Sequence, residues 1–184
     1  MSMLEWPDKY KVPDMGVYSV DKLITEARRI AAEYRRATGK PLAGVTSEVC
    51  QYDAARLLDL ELGAGVNGGY DAVGRGTREG KKIQIKGRAI FDESKSGQRI
   101  GQLKMEQDWD SVVLVLMDEN LEPYEIYEAA RDEIIAALGE GVNNKRSKRG
   151  IMSVAKFRAI GHLAWSRDYG ADDGELWENH PDDI

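Results

Sequence analysis

The chain has one cysteine, Cys50, and two histidines, His162 and His180, in 184 residues. A lone cysteine excludes an internal disulfide and any zinc site built from cysteines. Cys50 follows Val49 inside a helical pattern, so it reads as a small buried hydrophobe rather than a nucleophile. His162 reads as a helix residue at the surface or core edge, and His180 falls in an acidic tail. No hydrophobic run approaches the roughly 18 residues of a membrane-spanning helix. Residues 1–13 carry charges and prolines where a secretion signal would have an apolar core. A cytoplasmic location with no membrane partner is the expectation. Nor is there a basic excess: 26 basic side chains face 32 acidic ones, for a net charge of −6. The imbalance is local, however, because residues 168–184 hold seven acidic groups and no lysine or arginine. The first 167 residues balance at +1, and phosphate contacts need a basic patch more than a basic total, so nucleic acid stays open as a partner.

The composition, 42% hydrophobic and 32% charged, suits a globular domain of ordinary size with a substantial core. We read residues 1–167 as that domain and 168–184 as an acidic tail. Residues 1–16, with Pro7, Pro13 and Gly16, form an irregular arm that Trp6 and Tyr10 would dock. Ser19 or Asp21 caps a helix over about 20–38, with Leu23, Ile24, Ala27, Ile30, Ala31 and Tyr34 as its inward stripe. A second helix starts at Thr46 or Ser47 and places Val49, Ala54, Leu57, Leu58 and Leu62 inward. The run from Gly63 to Gly68 matches G-x-G-x-x-G, but a helix precedes it and a strand follows, the reverse of a dinucleotide site, so it reads as a turn. Arg88 to Met105 is polar, with Ser94, Ser96 and Gly97 at the centre of a loop. Residues 111–117 read as a strand buried on both faces, followed by a strand over 121–127 and a helix over 129–138. Ser153 opens a last helix that runs to about Ser166.

Between these elements lie two short alternating segments, 70–74 and 81–87, joined by the polar, glycine-punctuated link 75–80. They read as an antiparallel hairpin. A turn centred on Thr77 and Arg78 sets Asp71 opposite Gln84, and strand alternation puts Lys86 on the same face. Tyr70, Ala72, Ile83 and Ile85 then take the core face. A carboxylate, an amide oxygen and a lysine on one side of a sheet are the parts needed to hold a hard cation against a phosphodiester.

Tyr70-Asp71 followed by Gln84-Ile85-Lys86 resembles the motif of the PD-(D/E)xK nuclease superfamily, an acid on one strand and acid-x-Lys on the next. The resemblance covers about Thr46 to Leu138. It implies an α/β fold with a restriction-endonuclease-like core, a mixed central sheet of about four strands flanked by helices. It also implies a metal-dependent DNA endonuclease, of restriction or mobile-element type, using Mg²⁺ or Mn²⁺. Asp71, Gln84 and the Ile85 carbonyl would hold the metal, and Lys86 would act on the attacking water. Glu48, in the first turn of the second helix, has two readings: helix-terminus electrostatics, or the helix glutamate that such nucleases bring to the metal. Two departures stand out, Tyr in place of Pro before Asp71 and Gln84 in place of the second acid. The latter removes a charge from the metal site and makes a catalytically degenerate nucleic-acid- or partner-binding module of the same fold the alternative.

Candidate phosphate contacts are Arg88, Lys95, Arg99 and Lys104 in the loop after the hairpin, with Gln102 and Gln107 available to base edges. Lys145, Arg146, Lys148 and Arg149 form the one concentrated basic cluster, just ahead of a helix start. Nucleases of this kind often pair as homodimers to cut two strands. The acidic tail would contact a basic partner or the chain's own basic surface.

Overall fold

The structure, a computed structural model, describes residues 19–63, 69–92, 97–139 and 150–171. The N-terminal arm, most of the glycine turn, Lys95, the cluster at 145–149 and residues 172–184 lie outside the described residues.

Among the described residues, four α-helices and seven strands follow one another as α1 (Val20–Thr38), α2 (Val45–Leu58), β1 (Leu60–Leu62), β2 (Ala72–Gly74), β3 (Lys82–Ala89), β4 (Ser111–Met117), β5 (Pro123–Ala130), α3 (Arg131–Gly139), α4 (Val154–Ile160), β6 (His162–Ser166) and β7 (Gly170–Ala171). The strands form one sheet in sequence order. Only β3 and β4 run parallel, with Gln84 beside Val112 and Lys86 beside Leu114, and the other pairs are antiparallel. The sheet is therefore mixed, as expected, but has seven strands rather than about four.

The extra strands come from places where a helical stripe was expected to continue. α2 stops at Leu58 because Asp59 turns left-handed (φ 53°), and Leu62 lands in β1 instead of a helix. The last helix stops at Ile160, and His162 to Ser166 is strand β6, not helix. Gly161 explains the break: a side chain there would lie 2.8 Å from the Glu128 carbonyl oxygen, so the chain passes against β5 and is drawn into the sheet. Leu163 fits both a helical stripe and a strand alternation, so periodicity alone misassigned it.

Ser111 to Met117 is buried at all seven positions, as a central strand covered on both faces must be. Its odd residues Val113, Val115 and Met117 join Ile83, Ile85, Val49, Cys50, Ala54 and Ala31 beneath α1 and α2. Its even residues Val112, Leu114 and Leu116 join Ile100, Leu103, Trp109, Ile134 and Phe157 on the opposite face. Residues 93–96, with Ser94 and Ser96 of the expected loop centre, lie outside the described residues, but the stretch from Gly97 to Trp109 is held to the sheet. It is the crossover that parallel strands require, nailed to the sheet by three buried apolar residues too irregularly spaced to signal an element. Arg131 fixes it further, donating to the carbonyls of Met105, Gln107 and Trp109 at 2.9–3.1 Å, with its guanidinium 4.5 Å over the Trp109 ring.

α1 matches its expected span, and Ser19 accepts from the Lys22 N–H as its cap. Its inward face is rotated, however. Leu23, Ile30 and Tyr34 are 42–50% exposed, whereas Arg28 is buried. Arg28 donates to both carboxylate oxygens of Asp53 in α2 at 2.9 and 3.0 Å and also to the Leu121 carbonyl, so one arginine ties α1, α2 and the β4–β5 turn together. α2 begins at Val45 after Gly44 (φ 84°) rather than at Thr46 or Ser47.

Candidate active site along strand β3

The hairpin register is the one the polar turn implied: Ala72 pairs with Ile83 and Val73 with Lys82. Continued by one residue, it sets Asp71 beside Gln84, and the Asp71 N–H donates to the Ile83 carbonyl at 2.8 Å. β2 itself begins only at Ala72. At Asp71 the chain bends, and its side chain does what the next strand residue would have done, Oδ2 accepting the Ile85 N–H at 2.7 Å. The bend also sends Tyr70 to the crossover face of the sheet, not to the face of Ala72, Ile83 and Ile85 where alternation had put it. Gly69 (φ 80°) makes the bend possible, since any side chain there would run into Gln107 of the crossover.

Gln84 and Lys86 share the crossover face. Gln84 is fully buried and its Oε1 accepts the main-chain N–H of Lys104 at 3.1 Å. Its Nε2 is buried with no hydrogen-bond partner. Turning the amide over would set NH₂ against N–H, so the Lys104 contact decides which end is which. Lys86 is half-buried, and the Gly101 backbone lies over its stem, an added Cβ there being 3.8 Å from Lys86 Cδ. Burial pushes the Lys86 ammonium below its ordinary value. Asp71 draws it partly back up, and Lys104 pushes it down again.

On the other side of β3, α2 comes close because residue 87 is glycine: a Cβ there would lie 2.6 Å from Cys50 Sγ. Burial pushes the Cys50 thiol up to about 12, with Asp71, Asp53 and Glu48 adding to the shift and Lys86 opposing it. Cys50 is thus an inert core residue, as its sequence context indicated. Glu48, in the first turn of α2, is exposed.

Mg²⁺ asks for an octahedron of oxygens and keeps several waters. Asp71 fits that demand with the oxygen not bound to Ile85. The Ile85 carbonyl points to the same strand edge as its N–H, hence toward Asp71. Gln84 as arranged fits poorly, because it is fully buried, one lone pair of its oxygen holds the Lys104 N–H and its other end is a donor. Among the described residues no three His, Cys, Asp or Glu side chains form a cage, so ligands beside Asp71 would be mainly main-chain and water oxygens.

Of the basic candidates, Lys104 joins the site through its main chain and its charge. Arg88 and Arg99 are exposed, and Arg99 forms a bridge with Ser153 just ahead of α4. Lys95, Lys145, Arg146, Lys148 and Arg149 lie outside the described residues. A cleft of about 430 Å³ opens beyond Gly87 between α1 and the end of β3, where the Arg35 guanidinium sits 3.0 Å over the Phe91 ring. Asp71, Gln84 and Lys86 do not line it. Nothing in the local sequence pattern signals the Lys104 main chain, the Gly101 roof or the Arg131 clamp. The only signal was negative, three apolar residues in a stretch too polar to be an element. No model of a known protein family matches the chain, and no curated protein matches it.

Proposed function

We propose that the chain is a metal-dependent deoxyribonuclease of the restriction-endonuclease-like kind, hydrolysing phosphodiester bonds at Asp71 and Lys86. The observation that carries this reading is the register that sets Asp71 against Gln84 and Ile85, with a half-buried Lys86 next along the same face. Mg²⁺ held at Asp71, the Ile85 carbonyl and Glu48 would polarise the phosphodiester and stabilise the departing oxygen. Asp71 is held in place by the Ile85 N–H and so presents its remaining oxygen without reorganisation. Lys86, with its affinity for a proton lowered by burial, takes the proton of the attacking water at Nζ. The water oxygen bonds to phosphorus as the bond to the leaving oxygen breaks.

Cleavage of supercoiled plasmid and of single-stranded DNA with Mg²⁺ or Mn²⁺, against EDTA, tests the reading. Metal-dependent cutting by the wild type should fall by orders of magnitude in Lys86→Ala and in Asp71→Asn. Full activity in either variant refutes the mechanism. The engaged oxygen of Gln84 favours a second reading, a binding module that retains the fold and the basic surface but does not cut. Its mark is DNA binding that weakens steeply with salt and is indifferent to EDTA.

A further inference from the structure

Helix α1 turns apolar residues to solvent. Of the seven large hydrophobic side chains that stand exposed among the described residues, four, Val20, Leu23, Ile30 and Tyr34, are on this one helix. With Ala27, half-buried, and Ala37, exposed, they recur at alternating steps of three and four along the helix, as the a and d positions of a heptad do. At about 100° per residue all six fall in an arc of roughly 100°. That arc lies about a third of a turn from Arg28, Ala31 and Ala32, which face the core. A helix that only covers its own domain needs the second of these faces and not the first. A long apolar stripe left in water marks an association surface, and a repeat of 3.5 residues suits a second helix better than a flat face or a small molecule.

The stripe is complementary to itself when run antiparallel. Each layer of such a pair joins an a residue to a d residue, here Val20 to Ala37, Leu23 to Tyr34 and Ala27 to Ile30. In two of the three a larger side chain meets an alanine, which is how layers interdigitate without voids. The outer flank agrees. It carries Lys22, Glu26, Arg29, Glu33 and Arg36, and antiparallel alignment brings Glu33 of one copy within a turn of Lys22 of the other, and Glu26 within a turn of Arg29. Glu26 and Arg29, and Glu33 and Arg36, also pair within one helix at 2.9 and 3.2 Å, but both pairs are exposed and weak enough to be shared. A parallel pair would stack Ala27 on Ala27 and Tyr34 on Tyr34 and offer the glutamates only Ala31 and Thr38. We infer that the exposed stripe of α1 is a homodimer interface, two copies of this chain packing α1 against α1 antiparallel about a two-fold axis between Ala27 and Ile30. Because the core-facing side lies about a third of a turn from the stripe, the two domains diverge from the helix pair and do not collide. The interface is independent of the face around Asp71 and holds whether or not the chain cuts DNA.

Sedimentation equilibrium of the full-length protein is the test. The wild type should show a concentration-dependent equilibrium between monomer and dimer. Ile30→Lys changes a residue 50% exposed in the monomer, so it should leave the urea midpoint of the dilute protein in place. It should raise the dissociation constant of the dimer roughly a hundredfold, since both copies lose a central anchor. Cysteine pairing reads the orientation. With Leu23→Cys and Tyr34→Cys in separate chains, oxidation of the mixture should give a disulfide-linked dimer. Either variant alone should not, because its two identical positions stand about 16 Å apart along the helix pair, beyond the reach of a disulfide. Cys50 is buried and stays out of this chemistry. Ready cross-linking of either variant alone overturns the antiparallel interface, and so does a dimer that Ile30→Lys leaves intact. A wild type that stays monomeric at every concentration overturns it too, whether the stripe is then bare or covered by residues 1–18 of its own chain.

Discussion

Arg28→Met should be among the most damaging single changes away from the candidate site, and the structure indicates by how much. Asp53 has 1% of its side chain exposed and takes two hydrogen bonds from Arg28. The remaining cation, Arg56, stands 3.9 Å away with 56% of its own side chain in solvent, too screened to replace Arg28. Removing one partner of a buried pair costs about 3–5 kcal/mol, because the other charge stays buried and unpaired. With a urea slope of about 2 kcal/mol per molar for a domain of this size, the unfolding midpoint should drop by about 2 M. Arg28→Met combined with Asp53→Leu should recover most of the loss, since no charge is then stranded, giving a coupling of about 3 kcal/mol in a double-mutant cycle. Acidity supplies a second readout. Burial pushes the Asp53 carboxyl above its ordinary value while Arg28 holds it down. A carboxyl raised in the folded state binds its proton more tightly there, so stability is lost as pH rises through the raised value. Without Arg28 that value climbs further, and the deficit of Arg28→Met should be smaller at pH 5 than at pH 7. A single variant costing under about 1 kcal/mol, or additive single and double variants, would refute the argument.

Two further outcomes follow from the same physics. With its thiol pushed up to about 12, Cys50 should resist a disulfide reagent at pH 8 in the folded protein and react stoichiometrically in guanidinium chloride; prompt labelling of the native state would contradict its burial. Lys86→Met should stabilise the protein at neutral pH, because the folded state disfavours the charged lysine. Its proton is bound more weakly folded than unfolded, so wild-type stability rises with pH between the lowered value and about 10.5, and the advantage of the variant should fade across that window. A pH-independent difference in urea midpoint would show that Lys86 is not held against its charge.

The physics that made parts of this protein readable is local. Alternation and turn composition in residues 70–87 were enough to pair Ala72 with Ile83 and to bring Asp71, Gln84 and Lys86 to one place, because a hairpin's register depends only on its own turn. The fully apolar run at 111–117 announced a central strand for the same reason, that burial on both faces leaves no room for polar residues. What the sequence could not determine depends on contacts between distant segments. An arginine takes the centre of α1's inward face because Asp53 waits for it on another helix. His162 to Ser166 leaves the helical pattern because Gly161 must pass the Glu128 carbonyl. The Lys104 main chain, 20 residues from Gln84, fixes which end of that amide is used. The sequence by itself determined the hairpin register that sets Asp71 beside Gln84; the tertiary structure alone decided which end of the Gln84 amide is engaged, because the group that claims its oxygen comes from the crossover between β3 and β4.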